Sequence, residues 1–126
     1  MTKDEFSNDY IGAFNRGDLA TCARFYDENV ILHLGSRVLN GRQAIIDFYT
    51  EVFERIRETL TIKSVILDES GLAAEIATEF YCLKDWPEFI AGPIRAGETI
   101  RIESFIHYHI GPNGKFTEIW SARAKG

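Results

Sequence analysis

Apolar positions recur at two different periods along the chain, and the change of period divides it. Up to about residue 57 they fall at helical spacing, broken by one short extended piece; beyond that they alternate as strands do. Phe6, Tyr10 and Phe14 stand at i, i+4 and i+8 and form the aromatic stripe of a first helix. Thr2 with Glu5 three residues on is a capping box, each side chain taking an orphan N–H of the first turn. Gly17 stops this helix because glycine enters the left-handed conformation cheaply, and Asp18 is placed to cap a short second helix over 19–26. Residues 29–34 (Asn-Val-Ile-Leu-His-Leu) are β-branched and apolar and predict a strand, which Gly35-Ser36 turns back onto 37–39. Asn40 with Gln43 predicts a second box, opening a third helix whose apolar face is Ile45, Tyr49, Val52, Phe53 and Ile56.

Four longer strands follow: 60–67, 72–83, 98–110 and 116–124. Asp68 to Gly71 and Pro112-Asn113-Gly114 supply turns, and 85–93 is a loop carrying Trp86, Pro87, Phe89 and Pro93. Strands joined by hairpins favour antiparallel pairing. Helices first and strands afterwards predict an α+β domain with the helices on one face of the sheet. Parity then assigns the faces. Ile100, Ile102, Ser104, Ile106, Tyr108 and Ile110 turn toward the core, while Arg101, Glu103, Phe105, His107 and His109 turn away. In the strand before it, Ala74, Ile76, Thr78, Phe80 and Cys82 face inward and Glu75 and Glu79 outward.

The 126 residues fit one domain, 1–126, large enough to bury a core without staples. Lys and Arg number 14 against 19 Asp and Glu, a net charge of −5, so there is no cationic surplus to bind nucleic acid. No apolar run approaches the roughly 20 residues of a membrane span, and Met1 to Glu5 lack the basic start and apolar stretch of a signal peptide. Cys22 and Cys82 match no metal or redox spacing and read as buried thiols in a reducing cytoplasm. Aromatic residues make up 13% of the chain, which suits a dense core or an aromatic-walled cavity.

There is no glycine-rich phosphate loop, G-x-S-x-G elbow or H-E-x-x-H, so no cofactor and no metal are expected. Tyr10 is most simply a core aromatic, but a buried phenol needs a partner, and if that partner is a ligand Tyr10 is a donor aimed into a dry cavity. His33 reads either as a surface or hydrogen-bonded core histidine or as a base, its unperturbed pKa of about 6.5 suiting neutral pH. His107 and His109 share a strand face and could chelate zinc, but a third ligand is missing, and a solvated or dimer-facing strand is the better reading. Arg123 could reach a cavity mouth and bind an anionic group; a solvated terminal arginine is the default. Trp86 and Phe89 would cap a pocket or join an interface between subunits.

Several stretches carry a family resemblance. Residues 8–19 look like the opening helix and Gly17-Asp18-Leu19 turn of the nuclear transport factor 2-like superfamily. Phe25 to Val30 resembles its F-x-D-D-x-V stretch, Gly41 to Ile45 with Phe48-Tyr49 its G-x-x-A-I-x-x-F-Y helix, and Gly114-Lys115-Phe116 with Glu118-Ile119 its final hairpin. The resemblance is strongest to SnoaL-like polyketide cyclases and ketosteroid isomerases. It implies a cone: a curved antiparallel sheet with three N-terminal helices enclosing a pocket. It places Tyr10 at the isomerases' oxyanion-donating tyrosine and His33 at their aspartate base, while their third polar residue falls on apolar Ile106. It also implies a homodimer paired through the outer face of the sheet, with Phe105, His107, His109 and Trp120 at the contact.

The expected function is that of a cofactor-independent lyase, isomerase or cyclase that abstracts a proton next to a carbonyl in a hydrophobic, oxygenated small molecule. His33 would be the base and Tyr10 the donor, facing one another across a shared cavity. Phe14, Phe53, Thr78, Phe80, Trp86, Phe89, Ile106, Tyr108 and Arg123 would bind the ligand. The alternative is a module of the same fold that binds a small molecule or dimerises without catalysis.

Overall fold

The computed structural model describes residues 1–124. The aromatic stripe of the first helix seats it on the concave face of a sheet, with Phe6, Tyr10 and Phe14 all buried. This helix, α1, is π-wound over Glu5–Ile11 and continues as α-helix over Gly12–Asn15. Its capping box forms: the Thr2 backbone N–H donates to Glu5 Oε1 at 3.1 Å, and the Glu5 N–H donates to Thr2 Oγ1 at 3.0 Å. Gly17, with φ of 72°, breaks the helix where a residue with a Cβ would be strained. Asp18 then caps α2 (Leu19–Ala23), accepting from the Thr21 N–H and hydroxyl.

β1 (Tyr26–Leu34) and β2 (Arg37–Asn40) precede α3 (Arg42–Arg55). The long strands are β3 (Ile56–Leu67), β4 (Gly71–Cys82), β5 (Thr99–Ile110) and β6 (Phe116–Arg123). They form one curved, open sheet in the order β2-β1-β6-β5-β4-β3. Every neighbouring pair is antiparallel except β1–β6, which is parallel, a pairing that the long connection through α3 and four strands permits. Among the described residues no helix is long and apolar enough to cross a membrane.

Three local readings are corrected. β1 begins at Tyr26, so the short second helix ends earlier than its cap and spacing suggest. Asn40 does not cap α3. Gly41 occupies that position at φ of 95°, and Gln43 donates to Asp47 at 2.8 Å instead of closing a box. Finally, β3 starts directly at the end of α3, so Ile56 is its first residue rather than the last of a helical face.

This last shift decides what the sheet carries. Glu58, opposite Phe80 on β4, belongs to the strand and shares the inward parity of Ile56 and Leu60. On the other face, register aligns Ile66, Ala73, His107, Trp120, His33 and Val38 in one row across all six strands.

Candidate active site

Between the concave face of the sheet, α1 and α3 lies a cavity of about 420 Å³, a size suited to a small organic ligand. Most of its wall is apolar or aromatic, including Phe14, Phe48, Phe80, Phe89 and Ile106. Polar groups reach it from several elements, among them Tyr10 on α1, Tyr26 on β1, Tyr49 on α3, Glu58 on β3, Thr78 on β4, Tyr108 on β5 and Arg123 on β6.

Tyr10 lines this cavity, and its phenol lies 2.7 Å from that of Tyr26. Its ring is held edge-on by Tyr26, Tyr108 and Phe116, with centroids 5.1 to 6.1 Å away. Burial, reinforced by the neighbouring phenols, pushes its ionisation well above the ordinary tyrosine range. Burial likewise raises Tyr26, Tyr49 and Tyr108. All four are therefore neutral hydrogen-bond donors at physiological pH.

Glu58 is the one acidic side chain among the described residues of the wall. It hydrogen-bonds to no other side chain or backbone group among the described residues and has no ion-pair partner there. No buried polar atom among the described residues is left sealed without a partner, so the Glu58 oxygens are open to the cavity. The residue keeps partial exposure, and the cavity supplies it. Desolvation without compensation pushes its carboxyl up to about 8, far above the usual 4.5. A negative charge there would in turn raise Tyr26 and Tyr49 further, which places the carboxyl among these phenols. Asn15, at the end of α1, fixes the strand that holds it. Its amide donates to the Leu60 carbonyl at 2.9 Å, and its carbonyl accepts from the Leu60 N–H at 2.8 Å. The helix bearing Tyr10 is thus bolted to edge strand β3 two residues from Glu58.

His33 is not in this cavity. Leu32 and Leu34 line it, so strand alternation turns His33 to the convex face. There its ring stacks on Trp120 at 3.5 Å and 4°, and Nε2 lies 2.7 Å from Glu118 Oε2. The expected pairing of His33 with Tyr10 across one hollow is overturned by that alternation. Phe53 and Trp86 also lie outside the wall. Phe53 packs behind it against Phe14 and Tyr49, and Trp86 stacks on Phe89 at 5.0 Å beneath the Arg55 guanidinium. Phe14, Thr78, Phe80, Phe89, Ile106, Tyr108 and Arg123 do reach the cavity, Arg123 at its rim. His107 and His109 lie side by side, centroids 4.2 Å apart, on the convex face, and the described residues form no group of three metal-ligating side chains.

A strand read from Leu60 leaves Glu58 outside the inward set. The signal was present: Ile56, Glu58, Leu60 and Ile62 alternate, and the carboxylate interrupts an otherwise apolar set.

A family model described as a SnoaL-like domain matches residues 8–119. Among solved structures, a candidate polyketide cyclase from Pseudomonas putida superposes with a TM-score of 0.82 at 25% identity, covering 97% of this chain and 91% of that one. A SnoaL-like polyketide cyclase from Agrobacterium tumefaciens gives 0.78 at 19% identity, covering 99% and 93%. A ketosteroid isomerase-like protein from Erwinia carotovora gives 0.64 at 18%, covering 95% and 92%. No curated protein matches the chain.

The Glu58 shift carries a linkage effect on stability. Between about pH 4.5 and 8 the folded chain retains a proton that the unfolded chain has lost, so raising the pH through that window destabilises the fold. The uncharged variant Glu58→Gln lacks the effect. Its melting temperature relative to wild type should climb from about pH 5 and level off above about pH 8. A difference that stays flat across that range would mean a carboxyl with ordinary solvation.

Proposed function

The chain belongs to the SnoaL-like domain family, and we propose that its cavity carries out cofactor-independent acid–base chemistry next to a carbonyl, with Glu58 as the proton carrier and Tyr10 as the donor to the carbonyl oxygen. One observation carries this reading: a carboxyl with no partner among the described residues, open to a cavity whose neighbouring polar groups are neutral phenols.

In the proposed reaction the Glu58 carboxylate takes a proton from the carbon beside a bound carbonyl. The C–H electron pair moves toward the carbonyl oxygen, and a phenol hydrogen bond stabilises the oxyanion where the low dielectric makes such a bond strongest. The Tyr10–Tyr26 pair suits this because one hydroxyl can donate to the ligand while accepting from the other. Returning the proton to another carbon gives isomerisation, attack of the enolate on a second carbonyl gives cyclisation, and expulsion of a β-substituent gives elimination. With a pKa of about 8 the carboxyl is a stronger base than an exposed glutamate, though at pH 7 only about a tenth of it is ionised. The same raised pKa favours a second reading, in which neutral Glu58 donates to a ligand carbonyl and the site binds without turnover.

The probe is solvent exchange of the α-hydrogens of 2-tetralone, an aromatic ketone, followed by proton NMR in deuterated buffer. Wild type should accelerate exchange, with a rate that rises with pH and levels off above about 8. Glu58→Gln should lose about 10²- to 10⁴-fold, Tyr10→Phe should lose less, and His33→Ala should stay within about threefold, since His33 faces the other side of the sheet. Equal rates in wild type and Glu58→Gln would dismiss the catalytic role. Saturable binding without exchange would establish the binding module.

The convex face is proposed to pair with a second copy of the chain. Trp120 and Phe105 are 49% and 54% exposed there, set among small Ala73, Ala77 and Ala122 that leave the surface flat. Glu118 lies beside His33 and in register with His109, so the face presents both an acid and imidazoles to its own copy. Free, buried Cys22 and Cys82 fit a cytoplasmic setting. Sedimentation at micromolar concentration should give a dimer, and Trp120→Asp a folded monomer; a monomeric wild type would remove the interface.

A further inference from the structure

The polar groups of the cavity are distributed unevenly. Its depth holds neutral phenols and a carboxyl that is protonated at neutral pH. Its rim holds Arg123, the one cationic side chain among the described residues of the wall. We propose that the ligand is an amphipathic keto acid whose carboxylate, or an oxyanion of like charge, docks on Arg123 at the rim while its carbonyl reaches Glu58. The proposal rests on the reading of this cavity as the small-molecule site.

Arg123 ends β6 opposite Ser104 of β5. Its Nη2 donates to the Ala91 carbonyl at 3.0 Å, in the loop whose Phe89, Ile90 and Gly92 also line the cavity. That bond uses one of five guanidinium N–H groups and fixes the plane of the fork. The ion pairs among the described residues are His33–Glu118, Lys63–Glu103 and Arg101–Glu79, so no described carboxylate occupies the rest of the fork. A planar guanidinium anchored on one edge is preorganised for bidentate capture of a carboxylate on the other. The Ser36 and Ser121 hydroxyls stand at the same cavity wall and can complete the set of donors. An isolated surface arginine contributes little in bulk water. Here a bound ligand would itself exclude water, its apolar body filling the space between Ile106 and the loop. In its protonated form, the major one at neutral pH, Glu58 adds no charge that would repel the anion.

Two fluorescent probes share one aromatic framework and differ by a single anionic group: 1-anilinonaphthalene-8-sulfonate and N-phenyl-1-naphthylamine. At low ionic strength wild type should bind the sulfonate about tenfold more tightly than the neutral amine. Arg123→Gln should abolish that preference and leave the amine's affinity within about twofold. Arg123→Lys should keep part of it, and Ile106→Trp, which fills the cavity, should remove both probes. Equal binding of the two probes by wild type, equal weakening of both by Arg123→Gln, or sulfonate binding that survives Ile106→Trp would each overturn the anion subsite. Glu58→Gln should leave the probe preference unchanged. An Arg123-dependent preference in a protein that exchanges no α-hydrogens would therefore sink the catalytic reading alone, and exchange without the preference would sink the subsite alone.

Discussion

The candidate chemistry depends on a carboxyl group that pairs with no other described residue. Glu58 points into a cavity walled by aromatic rings and aliphatic side chains, and the groups nearest in kind are neutral phenols. Ionisation in such a place lacks both the solvation of water and the compensation of a cation, so the proton is held until about pH 8. Burying a group this way opposes folding at neutral and alkaline pH. A carboxyl shifted this far by desolvation and sitting in a cleft marks a candidate functional site.

The rest of the structure serves to hold that group still. Asn15 fastens the helix of Tyr10 to the strand of Glu58 through a reciprocal pair of hydrogen bonds, on the one edge of β3 that no strand covers. The long antiparallel ladder between β3 and β4 fixes the other edge and sets Glu58 opposite Phe80. Tyr10 is packed among Phe6, Phe25, Tyr26, Tyr108 and Phe116 and has little freedom to turn. At the other end, Arg123 ties the last strand to the loop that roofs the cavity.

Much of the architecture was legible because it follows from local rules. The stripe of Phe6, Tyr10 and Phe14, the Thr2–Glu5 box, the Asp18 cap and the inward parity of Ile106 and Tyr108 each depend on neighbours a few residues away. The candidate site was legible only in part, since it depends on where strands begin and which way they face. His33 sits between two leucines, and six residues of strand do not reveal which of the alternating sets is inside. The cavity chose Leu32 and Leu34. Glu58 lies at the junction of α3 and β3, where helical and strand periods overlap and neither pattern claims it. The resemblance to isomerases pointed to Tyr10, which does line the cavity, and to His33, which does not.

The most direct test is the titration of Glu58 itself. Carbon-13 NMR of the chain labelled at glutamate side-chain carboxyls, with Glu58→Gln to assign the resonance, reads its protonation without any ligand. The Glu58 carboxyl should show its inflection near pH 8. A Glu58 inflection near the ordinary 4.5 would contradict this assignment.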